Sequence, residues 1–208
     1  MIPTKEEALF YMKEIWSVTD ELNIKHGLPV GISRAHHKNV ALCAEKIAAA
    51  CGMDSDRAYV QGLMHDYGEA IEGTTPNTFH GTAGYDALMN KGYDEVARTC
   101  LTHSFWEGVF DENYFPSYNR QEIKRAISII SKIGIDEYDK LIQISDLLSS
   151  GHDIIPVETR INIIVKKYKL PHELIGFKIQ KACELKAYFD KKCNRNIYEI
   201  LGINDAKF

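Results

Sequence analysis

Apolar residues recur at helical spacing along almost the whole chain, and no segment shows the strict alternation that is typical of a half-buried strand. Val40, Cys43 and Ile47, for example, fall on one face of the second helical segment. The pattern therefore predicts an all-α bundle. Its helices are expected at about 4–26, 33–52, 54–71, 80–90, 94–103, 119–132, 136–150, 156–168 and 171–193.

Residues that favour helix caps mark the first three helix starts. Thr4 and Glu7 form a capping-box pattern at the first helix. Ser33 is expected to cap the second helix, and Asp54 or Ser55 the third.

Two long connections follow from the same pattern. Residues 72–78 are dense in turn-forming residues and are expected to be a loop. The loop 104–118 directly follows His103 and is rich in aromatic rings. We expect the rings of this loop to seal the core. The alternative is that they stack on a nucleotide base or close over a binding site. The rings belong to Phe105, Trp106, Phe110, Tyr114, Phe115 and Tyr118.

Composition and charge narrow the function classes. The 208 residues are 45% hydrophobic and 26% charged, which is typical of one globular domain. A net charge of −4 gives no broad attraction to nucleic acid or anionic membranes. No apolar stretch reaches the roughly 18 residues of a membrane-spanning helix, and the first seven residues lack a signal-peptide core. We therefore expect a cytoplasmic protein.

The cysteines are odd in number and include no Cys-x-x-Cys pair, so the sequence favours neither a disulfide framework nor a zinc knuckle. We expect them to be small buried apolar side chains. They are Cys43, Cys51, Cys100, Cys183 and Cys193.

Histidine and aspartate supply the candidate chemistry. His65 and Asp66 end an apolar run, whereas the second His-Asp pair, at 152–153, merely follows a helix-ending glycine. Asp146 lies inside the apolar run 141–148. A buried carboxylate is costly unless it is paired or coordinates a metal, and the alternative for Asp146 is a surface stripe or a salt bridge.

This pattern resembles the HD superfamily of metal-dependent phosphohydrolases, which are all-α proteins. In that family a histidine, a His-Asp pair and a distant aspartate bind a metal ion. The resemblance spans about residues 33–150 and favours His36 over His37 as the first histidine, because the following apolar residues stand in the family's usual register. The implied ligands of one ion are His36, His65, Asp66 and Asp146.

The resemblance also implies a single-domain HD-type helical bundle with a C-terminal helical extension. Residues 33–155 would form the metal-binding core, and residues 1–32 an N-terminal helix and loop packed on it. Residues 156–208 would form the extension of the same domain.

His80 and His103 resemble the additional histidines of dinuclear members, which carry a His-Asp-Ile-Gly type motif matched here by residues 65–68. In this interpretation Asp66 bridges two ions about 3.5 to 4 Å apart. Alternatively, one or both histidines contact substrate phosphate or cap a helix. Imidazoles and carboxylates suit one or two divalent ions per chain, and Fe, Mn, Co, Ni, Zn and Mg all remain candidates.

Asp66 and Glu69 are the catalytic candidates. Glu69 follows His65 by four residues, which is about 6 Å along the same face of a helix. Several mononuclear members carry glutamate at this offset, whereas many dinuclear members carry lysine there. Glu69 can orient water or protonate the leaving oxygen, and its alternative role is that of a solvated residue at a helix end.

The resemblance implies hydrolysis of a phosphoester or phosphoanhydride of a small substrate, nucleotides included, by metal-activated water. The sequence lacks a P-loop, a dinucleotide fingerprint and a Gly-x-Ser-x-Gly turn, so ATP-driven, redox and serine-hydrolase functions are without support. The rival hypothesis is a non-catalytic signalling module that keeps the metal site and binds a nucleotide or a partner protein. The absence of the lysine favours this rival.

Overall fold

The chain is all-α, as the sequence predicts. The computed structural model describes residues 1–71, 78–105, 110–115, 118–168 and 172–203. None of the helices in these ranges combines enough length and hydropathy to cross a membrane. The helices are α1 (Lys5–Lys25), α2 (Ile32–Ala50), α3 (Ser55–Met64), α4 (His80–Asn90), α5 (Asp94–Thr102), α6 (Arg120–Ile133), α7 (Glu137–Leu147), α8 (Val157–Tyr168), α9 (His172–Lys192) and α10 (Ile197–Leu201).

Local capping signals predict two of the first three helix starts. The Thr4–Glu7 capping box opens α1, and the Asp54 side chain accepts hydrogen bonds at the start of α3. The cap predicted at Ser33 is wrong, because α2 already begins at Ile32. Gly31 precedes it with φ +80°, a left-handed conformation that glycine adopts without strain.

The third helix is shorter than its apolar pattern predicts. It ends at Met64 rather than near Ile71, and the residues Tyr67–Ala70 form a separate 3₁₀ turn. The apolar spacing continues past Met64 because Tyr67 and Ala70 are also buried, although they belong to another element.

The C-terminal part departs from the sequence prediction in two places. The helix predicted to reach residue 150 ends at Leu147, and two short strands follow it. These are β1 (Ser149–Ser150) and β2 (Asp153–Ile154), which pair antiparallel. Of the second His-Asp pair, His152 lies in their turn and Asp153 begins β2. The short helix α10 was not predicted, since five residues are too few to show a helical period.

Buried apolar residues form three clusters around the bundle. One joins α2 and α7 to the C-terminal helices through residues such as Ile144 and Phe189, and a second joins α1 to α5. The third contains Phe79 and Phe105, with Phe115 packed against it. The described rings of the loop 104–118 therefore pack against the core, as favoured, while Trp106, the Tyr114 side chain and the loop residues 72–77 lie outside the described residues.

The cysteines correct the sequence prediction. Cys51 and Cys193 form a disulfide that joins the end of α2 to the end of α9. Their separation of 142 residues conceals the pairing, which arises because both helix ends pack on the same apolar cluster. Cys43 and Cys100 are buried thiols, as expected, whereas Cys183 is exposed.

Candidate metal centre

The six residues predicted to bind metal converge at one place in the fold, although they come from five separate elements. They are His36 on α2, His65 and Asp66 directly after α3, His80 at the start of α4, His103 directly after α5, and Asp146 in the last turn of α7.

The first group surrounds one oxygen of Asp66. His65 Nε2 lies 3.1 Å from Asp66 Oδ2, and His36 Nε2 lies 3.8 Å from the same oxygen. On its other side His36 Nε2 is 3.1 Å from Asp146 Oδ1. The ligand atoms of His36, His65 and Asp66 lie within 4.8 Å of one another, close enough to hold one ion.

The second group surrounds the other oxygen of Asp66. The Nε2 atoms of His80 and His103 each lie 3.2 Å from Asp66 Oδ1, and they are 3.1 Å from one another. These three ligand atoms also meet the spacing that a metal ion requires. Asp66 is thus placed between two groups, with one carboxylate oxygen directed at each.

A close backbone approach brings His80 beside Asp66. The 3₁₀ turn that follows Asp66 packs against the start of α4. A Cβ on Gly68 would lie 1.9 Å from the carbonyl oxygen of His80. Any larger residue at position 68 would therefore push the two groups apart, which gives the Gly of the motif a physical role.

Backbone carbonyls fix the orientation of two of the imidazoles. His65 Nδ1 lies 2.8 Å from the carbonyl oxygen of Gly62, and His103 Nδ1 lies 3.2 Å from that of Thr99. A carbonyl oxygen only accepts, so both Nδ1 atoms donate. In the neutral imidazoles the Nε2 lone pairs then face the site, as metal ligation requires.

Burial and charge perturb the ionisation of these groups. Burial opposes the charged form of Asp66, but the imidazoles of His65 and His80 outweigh it and lower the pKa of this carboxyl. Burial likewise opposes protonation of His65, yet the charge of Asp66 raises the pKa of His65 to about 9. The pKa of Asp146 is lowered chiefly by His36, again against burial.

Several buried atoms of the site lack a hydrogen-bond partner among the described residues. Asp66 Oδ1 and His65 Nε2 form no hydrogen bond with the described residues. Buried polar atoms are almost always satisfied, so two orphaned atoms directed into one cluster of imidazoles and carboxylates fit a divalent cation.

Glu69 reaches the site, but not by the predicted route. It lies in the 3₁₀ turn, so it does not share a helix face with His65. Its side chain is 34% exposed, and its Oε2 lies 3.6 Å from His37 Nε2. Burial, reinforced by the charge of Asp66, raises the pKa of Glu69 to about 7.

Sequence reasoning missed His37 as a residue of the site. Its side chain is fully buried, and its Nε2 lies 4.0 Å from Asp66 Oδ2. The indole of Trp16 on α1 donates to His37 Nδ1 over 2.9 Å. Adjacent residues of a helix are turned by about 100°, so the sequence gives no signal that His36 and His37 both reach one pocket.

A lysine from outside the predicted core also faces this region. Helix α9 packs on α7, and Lys178 on α9 is half-buried. Burial lowers the pKa of Lys178, while the negative charge of Asp146 opposes that shift. This cation was missed because the family resemblance ends before α9.

The comparison with known families agrees with this geometry. A family model described as the HD domain matches residues 34–150. The chain belongs to the HD domain family. No curated protein and no solved structure shows significant similarity to it.

Membership places this HD domain among metal-dependent phosphohydrolases. All six converging side chains lie within the matched residues, as does Glu69. Trp16 and Lys178 lie outside them, so helices on both sides of the HD domain contribute to the surroundings of its site.

Proposed function

We propose that this protein is a dinuclear metal-dependent phosphohydrolase that cleaves a small phosphate-containing substrate. The observation that carries the proposal is the placement of Asp66, whose two oxygens face two separate groups of imidazoles. In a mononuclear site His80 and His103 would instead contact substrate phosphate or cap a helix.

The ligand assignments follow the two groups. His36, His65, Asp146 and Asp66 Oδ2 would hold one ion, and His80, His103 and Asp66 Oδ1 the other. Divalent ions at such a site neutralise phosphoryl oxygens and lower the pKa of water. The backbone carbonyls behind His65 and His103 keep both rings in the ligating orientation.

Glu69 is the proposed proton carrier. A group whose pKa is near the working pH both accepts and donates a proton readily, and the pKa of Glu69 is about 7. Its partly exposed position lets it exchange that proton with solvent. It would take a proton from the attacking water or give one to the leaving oxygen.

Lys178 is the proposed cation for substrate phosphate. It carries no hydrogen bond or ion pair to the described residues, and the charge of Asp146 acts on it, so its ammonium is available for an anion at the site. It would supply the positive charge that many dinuclear members carry at the position of Glu69. With that cation in place, the absence of a lysine at position 69 would no longer favour the non-catalytic rival.

A substrate panel tests the proposal. The protein is purified without chelator and assayed for phosphate release from nucleoside mono-, di- and triphosphates, dinucleotides and simple phosphoesters, each with Mn²⁺, Fe²⁺, Co²⁺, Ni²⁺, Zn²⁺ or Mg²⁺. We expect turnover of at least one class that chelation abolishes. Metal-dependent binding of a nucleotide that stays intact for hours would instead favour the signalling module.

A further inference from the structure

The buried imidazoles of the site differ at Nδ1. His65 and His103 each direct Nδ1 at a backbone carbonyl, which can only accept. His37 directs Nδ1 at the indole nitrogen of Trp16, which can only donate. The Nδ1 atom is therefore a donor in His65 and His103 and an acceptor in His37.

This contact fixes the tautomer of His37. An Nδ1 atom that accepts the indole hydrogen carries no proton, so the proton of the neutral ring resides on Nε2. An Nε2–H group has no lone pair to offer a cation. The atoms of His37, Asp66 and Glu69 lie within 4.8 Å of one another, which is the spacing of a third metal site, but this tautomer makes the group unsuitable for one.

The donor lacks an acceptor in the part of the chain that the structure describes. His37 Nε2 is buried and makes no hydrogen bond with the described residues. The nearest carboxylate oxygens, on Glu69 and Asp66, are 3.6 and 4.0 Å away, beyond hydrogen-bond distance. A buried N–H without an acceptor is costly, so an oxygen from a bound ligand is the partner that this position fits.

We propose that His37 binds a non-bridging phosphoryl oxygen of the substrate through Nε2–H, with Trp16 as the positioning residue that holds the tautomer. The inference rests on the proposed function, since it takes the ligand to be a phosphate compound. It deepens that function by assigning phosphate recognition to a neutral donor. It also makes α1, which lies outside the matched HD domain, part of the site.

The charge of the neighbouring Asp66 does not prevent an anion from binding here. Asp66 faces both proposed ions, whose positive charge would offset its own and attract the phosphoryl group. Ligand oxygens that contact the ions would lie beside Asp66, whose Oδ2 is 4.0 Å from His37 Nε2.

The first part of the test is spectroscopic and does not depend on turnover. Long-range ¹H–¹⁵N correlation spectra of the Zn²⁺-loaded protein report which ring nitrogen of each histidine carries hydrogen. We expect Nε2–H for His37 and Nδ1–H for His65 and His103. Trp16→Phe keeps an aromatic ring but removes the donor, and should release His37 from the pure Nε2–H form.

The second part measures binding of inorganic phosphate by calorimetry after free zinc is removed. His37→Leu should weaken phosphate binding about tenfold or more, because a hydrogen bond to an anion is lost. His37→Gln keeps an N–H at the same reach and should retain most of the affinity. Both variants should keep the zinc content of the wild type.

The proposal would be overturned by Nδ1–H on His37 in the wild type, by loss of zinc in His37→Leu and His37→Gln alike, or by phosphate binding that is unchanged in His37→Leu. Absence of phosphate binding in the wild type would overturn it as well. If phosphate binds as expected but no compound is hydrolysed, the proposed function fails and the role of His37 stands.

Discussion

The Nε2 atoms of His80 and His103 lie 3.1 Å apart. Two imidazole nitrogens come this close when they share a proton or a cation. Because Asp66 Oδ1 lies 3.2 Å from both, all three atoms surround a common point. The proposed second ion rests on this geometry, because His36, His65, Asp66 and Asp146 on their own would form a single-ion site.

Replacement of Glu69 should slow the reaction without removing metal. Glu69→Gln keeps the size of the side chain but cannot carry a proton, so we expect kcat to fall about 10²- to 10⁴-fold, the usual contribution of general acid–base catalysis. The pH dependence of kcat near 7 should disappear with it, since the pKa of Glu69 is about 7. Steady-state kinetics from pH 5 to 9, with metal analysis of both proteins, check this. An unchanged kcat would show that Glu69 is only a solvated residue and carries no proton in the reaction.

Metal binding should release protons at neutral pH. Burial opposes protonation of His65, but Asp66 raises the pKa of His65 to about 9, so the ring is protonated at pH 7 without metal. A ligating Nε2 must lose that proton, and protons compete more strongly as the pH falls. We therefore expect release of about one proton or more per chain and an apparent affinity that rises up to about pH 9. Calorimetry of Zn²⁺ binding in buffers of different protonation enthalpy measures this, and zero net release would contradict it.

A buried ion pair should hold the two sides of the site together. Arg98 on α5 donates to Asp139 on α7 over 2.8 Å, and Thr102 donates to the other carboxylate oxygen over 2.6 Å. The Asp139 side chain is 1% exposed. Asp139→Ala removes the buried carboxylate that both Arg98 and Thr102 bond, while Arg98 keeps its bonds to two backbone carbonyls. The substitution should lower the free energy of unfolding by about 3 kcal/mol.

The exposed pair formed by Asp86 and Arg125 provides the control for Asp139. These side chains are about half exposed, and two hydrogen bonds from Arg125 to Asp86 join them. Asp86→Ala should lower the free energy of unfolding by less than about 1 kcal/mol, because exposed ion pairs are screened by water. Urea denaturation of both variants makes the comparison, and equal losses would refute a special role for Asp139.

The disulfide predicts a thiol count. Without reductant, the unfolded protein should show three free thiols, those of Cys43, Cys100 and Cys183. Cys51→Ser combined with Cys193→Ser should lower stability by about 2–4 kcal/mol, as loss of a native disulfide typically does. Cys183→Ser is the matched control and should have little effect. Five free thiols would show that the bridge does not form.

The sequence correctly predicts those helix caps and helix bounds that depend only on neighbouring residues. The capping box at Thr4 and Glu7 and the bounds of α4 depend on neighbouring residues alone, and the structure confirms both. The end of α3 is different, because apolar spacing continues into the 3₁₀ turn and hides the break at Met64. That break depends on a contact between Gly68 and the distant His80.

For the site as well, the sequence predicts what residue type and order determine and misses what depends on contacts between distant residues. Its six candidate ligands could be named from residue type and order, because the resemblance fixes them along the chain. The role of His37 could not, since it depends on the indole of Trp16, which reaches it from another helix. Lys178 was missed for a similar reason: nothing near it in sequence indicates that α9 packs on α7.

Metal content tests the central claim most directly. Protein purified without chelator is analysed by inductively coupled plasma mass spectrometry, beside His80→Ala and the control His152→Ala, whose residue is exposed in the β1–β2 turn. We predict two divalent ions per chain in the wild type and in His152→Ala, and one in His80→Ala with activity at least about a hundredfold lower. A wild type that holds no ion, even after incubation with divalent metals, would contradict the account. Equal metal content in wild type and His80→Ala would contradict the second ion.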